Sequence, residues 1–116
     1  MTWVILKKIE MAKGDVVLLS FPFTDLSGSK LRPAVVLVES ALDVTVCFVT
    51  TQLFWKDEND LKLSANQHSG IKKESLLRVS KIATLDKAFL KGTIGSLNPE
   101  EISGLNRKLK MVFDLD

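Results

Sequence analysis

Three β-rich runs follow one another in the first half of the chain, and no helical pattern separates them. They cover residues 16–21, 34–38 and 44–50, and they consist mostly of Val, Leu, Phe and other residues common in strands. Parallel strands need a long crossover, usually an α-helix, whereas antiparallel strands are joined by turns and loops. The links here are polar, with Gly28 in the first of them. The spacing therefore favours an antiparallel sheet over βαβ units.

Further strands are predicted in the second half of the chain. Residues 76–82 form another β-rich run, and shorter strands are predicted at 61–63 and around 92–95. The intervening stretch from 54 to 70 is polar and is otherwise expected to be irregular.

One helix is predicted at the C-terminus. Asn98 suits the N-cap, Pro99 suits the first helical position, and Glu101 completes a capping box. Apolar side chains then recur at spacings of three and four, at Ile102, Leu105, Leu109, Val112 and Phe113. Many short strands and one terminal helix predict a mainly β fold, a barrel with an α-helix packed on it.

The composition is that of one globular domain with little net charge. The chain has 116 residues, of which 46% are hydrophobic, and 16 Lys and Arg against 14 Asp and Glu give a net charge of +2. Such a balance excludes a polycation that holds nucleic acid by bulk charge, so RNA binding requires a local basic patch. The only cysteine, Cys47, lies in an apolar strand, which predicts a buried thiol in a reducing compartment.

The first residues lack the features of a targeting segment. Residues 3–6 are apolar but are followed at once by Lys7 and Lys8, whereas a signal peptide needs about 7–15 apolar residues. No run approaches the roughly 18 apolar residues of a membrane span, so we expect a cytoplasmic protein. The sequence from Met11 resembles a second start. We therefore expect residues 1–11 to be an N-terminal extension and residues 12–116 to be the domain.

A glycine-containing loop before the second strand carries the first candidate binding residues. Its hydroxyls and backbone N–H groups suit phosphate, and basic side chains add charge; the candidates are Ser27, Ser29, Lys30 and Arg32. Pro33 restricts the backbone of Arg32 and so favours one direction for its guanidinium. The alternative interpretation is an ordinary polar hairpin with solvated bases.

Two strands carry further polar candidates. Thr50 ends an apolar strand and can hydrogen-bond a phosphoryl oxygen, and Gln52 can contact a base edge. Strand alternation places Arg78 and Ser80 on one face. Threonine is also simply a good strand former, and an arginine on a strand often only faces water, so both interpretations stay open at this point.

Other chemistries receive little support from the sequence. His68 is the only histidine and lies in a polar loop, where a solvated residue is expected rather than a general base. No cluster of His, Cys, Asp or Glu has the spacing of metal ligands, so no metal or other cofactor is expected. Neither a P-loop nor a dinucleotide-binding motif occurs.

Taken together, several segments resemble one family, the PemK/MazF (Kid-like) toxins of type II toxin–antitoxin systems. The segments KGDVVL, FPFTD and GSKLRPAVVL, which begin at residues 13, 21 and 28, resemble the N-terminal part of these toxins. The third strand, VCFVTTQ at 46–52, has the family's Thr and Gln. The match continues in order with GIKKES, Arg78, IATLDK and GSL, and it extends from residue 12 to about residue 113.

The resemblance implies an SH3-like β-barrel of the CcdB/Kid/MazF type, a homodimer and metal-independent cleavage of single-stranded RNA. It also implies a cognate antitoxin as protein partner, with DNA contacted only through the toxin–antitoxin complex. By position, Arg32 and Thr50 resemble the family's catalytic arginine and threonine. Gln52 and the loop of Ser27 and Ser29 match places that contact RNA, and we expect Lys30, Arg78 and Ser80 to contact RNA as well.

One position departs from the pattern of the Kid-like members. Some of them carry an acid, implicated as a base, two residues after the arginine that matches Arg78, and this chain has Ser80 there. A neutral hydroxyl cannot be that base, so the resemblance favours the Arg32 and Thr50 pair or predicts reduced activity. Two alternatives stay open: a CcdB-type gyrase poison of the same fold, and a catalytically silent binding module.

Overall fold

Within residues 11–20 and 31–116, which the computed structural model describes, six β-strands precede one C-terminal helix. The strands are β1 (Asp15–Ser20), β2 (Leu31–Glu39), β3 (Asp43–Thr50), β4 (Asp60–Leu63), β5 (Ser75–Asp86) and β6 (Leu90–Ser96), and the helix is α1 (Pro99–Phe113). Short 3₁₀ turns at Leu53–Trp55 and Lys87–Phe89 follow β3 and β5. Residues 1–10, most of the predicted extension, lie outside the described residues.

The strands form one sheet in the order β4–β5–β3–β2–β1–β6, and each neighbouring pair is antiparallel. The predicted mainly β fold, its antiparallel pairing and its C-terminal helix are confirmed. Because neighbours run in opposite directions, the start of β2, the end of β3 and the start of β5 meet at one end of the sheet. Arg32 and Thr50, two of the polar candidates from the sequence analysis, lie at that end.

Alternating side chains of the central strands fill two hydrophobic clusters, as the twofold period of a strand requires. Val16, Leu18 and Val35 belong to the first cluster, and their chain neighbours Val17 and Ala34 belong to the second. All five are fully buried. Helix α1 packs against the first cluster with its predicted apolar stripe, through Leu105, which is buried, and through Ile102, Leu109 and Val112.

The capping box predicted for the helix is present. The Asn98 side chain accepts a hydrogen bond from the Glu101 backbone N–H over 2.8 Å, and the Glu101 carboxylate accepts from the Asn98 N–H over 2.9 Å. One member of the predicted stripe was wrong: Phe113 is 55% exposed. It is the last residue of the helix, and Asp114 turns the chain into the left-handed region directly after it, so Phe113 is not held against the sheet.

Two strands differ from their predicted limits because pairing with neighbours decides where a strand ends. The second strand was predicted to start at residue 34, directly after Pro33, but Pro33 is already the third residue of β2, opposite Leu18. Its missing N–H is tolerated because the registered pairing with β3 begins only at Ala34. Strand β5 continues four residues past the predicted end at 82, as far as Asp86, because β3 pairs with it over this whole length.

Cys47 lies in β3 and is fully buried, as predicted. Burial in apolar surroundings raises the pKa of its thiol to about 12. The thiol therefore behaves as a small core side chain and is not a nucleophile at neutral pH. Over the part of the chain that the structure describes, no helix has both the length and the apolar character needed to cross a membrane.

Candidate functional site

A cavity of about 370 Å³ opens at the end of the sheet where β2 begins, β3 ends and β5 begins. Its apolar floor and walls are formed by Leu31, Pro33, Val49 and Ile71. Its polar lining consists of three cations and four neutral groups: Arg32, Lys72, Lys73, Thr50, Thr51, Gln52 and Ser75. An apolar pocket with a few convergent polar groups is the usual form of a ligand site.

Arg32 and Thr50 line this cavity together because the start of β2 and the end of β3 lie at the same end of the sheet. Ala34 pairs with Phe48 in the antiparallel ladder. This is the first registered pair of the two strands at this end of the sheet, and Arg32 and Thr50 each lie two residues beyond it. Both residues are half-buried. The sequence analysis singled them out separately, and the structure brings them together.

The Thr50 hydroxyl is held in a defined position by the turn that follows β3. Its oxygen accepts a hydrogen bond from the Gln52 backbone N–H over 3.1 Å. Such local bonds from threonine stabilise a tight turn and fix the side chain. A hydroxyl has one donor and two acceptor sites, so Thr50 can still donate its O–H into the cavity. Gln52 lines the same cavity and is exposed.

The described lining of the cavity is basic. Arg32, Lys72 and Lys73 supply three cations, and none of the described lining residues is an Asp or Glu. The nearest acid in sequence, Glu74, pairs instead with Lys62, whose Nζ lies 2.6 Å from Glu74 Oε1. This hydrogen bond raises the pKa of the Lys62 ammonium. The cavity is therefore suited to an anion.

Arg78 does not line this cavity. Its Nε donates to Asp60 Oδ1 over 3.0 Å, and its Nη2 lies 3.6 Å from Asp57 Oδ2. The side chain is only 16% exposed, and that of Asp60 is completely buried. The guanidinium thus binds Asp60 of β4. The sequence analysis did not predict this pair, because Asp60 lies in a stretch that was expected to be irregular.

Ser80 lies in a bulge of β5. The pairing with β3 moves from Cys47 opposite Ile82 to Phe48 opposite Arg78, so three residues of β5 have no partner there. The bulge interrupts the regular alternation that was expected to place Arg78 and Ser80 on one face. Arg78 is mostly buried, Ser80 is exposed, and Ser80 does not line the cavity.

The remaining candidates of the first loop, Ser27, Ser29 and Lys30, lie outside the described residues. Conversely, the sequence analysis assigned no role to Lys72 and Lys73. The signal available for them was a basic doublet directly before a strand, and only the tertiary structure places that doublet beside Arg32 and Thr50. Within residues 11–20 and 31–116, no group of three or more His, Cys, Asp or Glu side chains could hold a metal ion.

Comparison with known proteins relates this chain to one family. The family model described as "PemK-like, MazF-like toxin of type II toxin-antitoxin system" matches residues 12–113. A sequence comparison with curated proteins found no match.

Solved structures of the same fold support this relation. The Mycobacterium tuberculosis toxin MazF-mt6 superposes with a TM-score of 0.70 at 19% identity, covering 88% of this chain and 98% of that one. An endoribonuclease in complex with its cognate antitoxin from Mycobacterial species gives 0.68 at 16% identity, with coverages of 90% and 93%. MazE-MazF from Deinococcus radiodurans gives 0.72 at 16% identity, with 94% and 100%. At these identities the likeness establishes the fold.

Proposed function

Because the chain belongs to the PemK-like, MazF-like toxins of type II toxin–antitoxin systems, we propose that it is a metal-independent endoribonuclease that cleaves single-stranded RNA at specific sequences. The observation that carries this proposal is the cavity shared by Arg32 and Thr50. An arginine and a hydroxyl donor from adjacent strands both line it, and none of its described lining residues is an Asp or Glu. Such a site attracts a phosphodiester and offers donors to its oxygens.

The reaction that these groups suit uses the nucleophile that RNA itself provides. The ribose O2′ attacks the adjacent phosphorus, the bond from phosphorus to O5′ breaks, the O2′ proton departs, and a proton is taken up at O5′. Negative charge develops on the phosphoryl oxygens along the way. A guanidinium and a hydroxyl placed at those oxygens stabilise this charge without a metal. DNA lacks the 2′-OH and is therefore not a substrate.

The rest of the cavity suits recognition of the flanking nucleotides. Gln52 is exposed at the cavity and can pair with a base edge through its amide. We keep Ser27, Ser29 and Lys30 as proposed RNA contacts of the preceding loop. The proposal makes no use of Arg78 and Ser80, because neither lines the cavity.

The family also suggests the partners. Two of the structural neighbours were solved with an antitoxin, as MazE-MazF and as an endoribonuclease with its cognate antitoxin. We propose that this chain is likewise a cytoplasmic toxin that forms a homodimer and is neutralised by a cognate antitoxin. Contact with DNA is proposed only for the toxin–antitoxin complex.

The test is incubation of the purified protein with a long, weakly structured RNA in excess EDTA. We expect discrete cuts, and no cut where the mapped site carries a single 2′-deoxyribose. Arg32→Ala, purified in parallel, controls for contaminating ribonucleases. Loss of a donor to the developing charge costs about 10²–10³ in rate, so Arg32→Ala should cut at least about a hundredfold more slowly.

Two outcomes would contradict the proposal. Cleavage by Arg32→Ala at the wild-type rate would place the active site elsewhere. Absence of discrete cuts by the wild-type protein would leave the gyrase poison and the silent binding module as the competing interpretations, and a DNA gyrase inhibition assay would separate those two.

A further inference from the structure

Two consecutive lysines form one wall of the cavity that also contains Arg32 and Thr50. Lys72 and Lys73 are both exposed, and both line it. Among the described residues neither is in an ion pair, and the adjacent Glu74 is paired with Lys62. The wall therefore contributes two lysines, with no described ion pair, to the lining of the cavity.

The backbone that carries these lysines is anchored on both sides. Ile71 before them is 3% exposed in the first cluster, and its carbonyl accepts from the Asn66 N–H over 3.0 Å. Ser75 after them is also 3% exposed, and its hydroxyl donates to the Lys73 carbonyl over 2.7 Å. The segment is fixed in place while the two side chains remain in solvent. The position of their charge is thus built into the fold.

Close packing below the segment fixes it further. Gly70 has φ +78°, and a Cβ there would lie 2.3 Å from the carbonyl oxygen of Ile94 in β6. Only glycine allows this approach without a shift of the backbone. The lysine wall therefore rests directly on the sheet.

The wall and the pair assigned to the cleaved phosphate come from different elements of the fold. Arg32 and Thr50 come from β2 and β3, whereas the lysines come from the segment before β5. A cavity of 370 Å³ falls in the roughly 300–1,000 Å³ range of small-ligand sites, so it holds more than one phosphate group. A flexible lysine acts as a point charge and suits a phosphate that must be held but not reorganised.

Building on the proposed ribonuclease function, we propose that Lys72 and Lys73 form a second phosphate subsite. It holds the backbone phosphate next to the one that is cleaved and so positions the RNA strand in the cavity. The lysines are positioning residues, because they contact the substrate away from the reacting atoms. They act on binding and leave the chemical step unchanged.

The test compares Lys72→Gln/Lys73→Gln with a matched control that also removes two exposed charges. Arg107→Gln/Lys110→Gln serves as the control, because both residues lie on a separate surface of α1. The probe is an RNA oligonucleotide that spans a mapped cut and carries 2′-deoxyribose there, so that binding is measured without cleavage. The corresponding all-ribose oligonucleotide gives kcat and KM.

We expect the lysine variant to bind about tenfold more weakly, as for the loss of charge-assisted contacts, with kcat essentially unchanged. Its plot of log K against log salt should be shallower by about 0.7 for each lost phosphate contact to a single strand. The control should keep the wild-type affinity and slope. Equal losses in the two variants would mean general attraction by surface charge and would overturn the subsite.

Replacing the RNA phosphates one at a time by neutral methylphosphonates locates the subsite. In the wild-type protein, a methylphosphonate at one phosphate beside the cut should lower the affinity. In the lysine variant, which has already lost that contact, the same replacement should lower the affinity no further. An identical profile for both proteins would overturn the proposal. This failure differs from that of the proposed function, in which the wild-type protein makes no cuts at all and both proposals fall.

Discussion

Arg78 and Asp60 face each other across the β4–β5 ladder, with Arg78 Nε 3.0 Å from Asp60 Oδ1. The Asp60 side chain is completely buried, and its other oxygen accepts from the Asp57 backbone N–H over 2.9 Å. A buried carboxylate is tolerated when it is paired and hydrogen-bonded in this way. The pair therefore joins the short edge strand β4 to the long strand β5.

Replacing Arg78 should damage stability more than catalysis. Arg78→Ala would leave the Asp60 charge buried without its cation, which typically lowers the free energy of unfolding by about 3–5 kcal/mol. Urea denaturation measures the loss, and the cleavage rate per folded molecule should stay close to that of the wild type. Unchanged stability with weakened RNA binding would instead support the role that the sequence analysis gave to Arg78.

Asp57 provides the control for this ion pair. Its carboxylate is 47% exposed and 3.6 Å from the Arg78 guanidinium. Exposed pairs contribute at most about 1 kcal/mol, so Asp57→Asn should be nearly neutral in the same assay. The amide oxygen of asparagine can also keep the bond that Asp57 Oδ1 accepts from the Asn59 N–H.

Restoring an acid at position 80 should change little. Ser80 lies exposed in the β5 bulge and does not line the cavity, and the nearby Arg78 is already paired with Asp60. Ser80→Asp should therefore alter the cleavage rate by less than about threefold, the size of a typical surface effect. A large gain measured with the same RNA would mean that the missing acid does limit this protein.

The local sequence pattern was sufficient to predict that the strands and the helix form, but the limits of the strands depended on tertiary pairing. The capping box of Asn98 and Glu101 is complete within four residues, so the start of α1 could be predicted from the sequence. The extension of β5 to Asp86 could not be predicted, because it follows from pairing with Asp43 on β3, a strand that is distant in sequence. Phe113 fits the helical period, yet the end of the helix leaves it exposed.

The site was predictable only where residue type and position coincided. Arg32 and Thr50 stand at the ends of apolar strands, and polar side chains there are exposed at a sheet edge. Arg78 is also a polar residue in an apolar strand, but it lies inside the strand, and its partner Asp60 lies 18 residues earlier in a stretch without a clear pattern. The lysine wall was missed because no local rule places the segment before β5 beside the start of β2.

Removing residues 1–10 should leave the domain intact. The family match begins at residue 12, and Met11 already packs against the second cluster. We expect the truncated protein, which starts at Met11, to fold and to cleave RNA like the full chain. A melting temperature lowered by more than about 8 °C, over 1 kcal/mol for a domain of this size, would mean that the extension is structural.

The buried thiol should make stability depend on pH in the alkaline range. Burial raises the pKa of Cys47 to about 12, whereas an unfolded cysteine loses its proton near pH 9. Above that pH the unfolded state binds fewer protons than the folded state, so the contribution of the neutral thiol is full below pH 9 and falls as pH rises toward 12.

The measurement is denaturant unfolding at pH 8, 9.5 and 10.5 for the wild type and Cys47→Ala. The alanine variant has a lower baseline because of the cavity it creates, but it lacks the titrating group. The wild type should lose on the order of 2 kcal/mol more than Cys47→Ala between pH 8 and pH 10.5. Parallel pH profiles would contradict the burial argument.

The most discriminating prediction concerns the Thr50 hydroxyl, in the cavity that Arg32 also lines. Thr50→Val keeps the shape of the side chain but removes the donor, so cleavage should slow by about 10²-fold or more, while Thr50→Ser should retain most activity. Thr51→Val is the matched control, because Thr51 lines the same cavity but lies just after the end of β3. If both groups stabilise the same developing charge, Arg32→Ala/Thr50→Val should lose less than the product of the single losses. The measurement is the single-turnover rate, on one RNA, of the wild type, of each single variant and of the double variant. A loss confined to Thr51→Val would refute Arg32 and Thr50 as the catalytic pair.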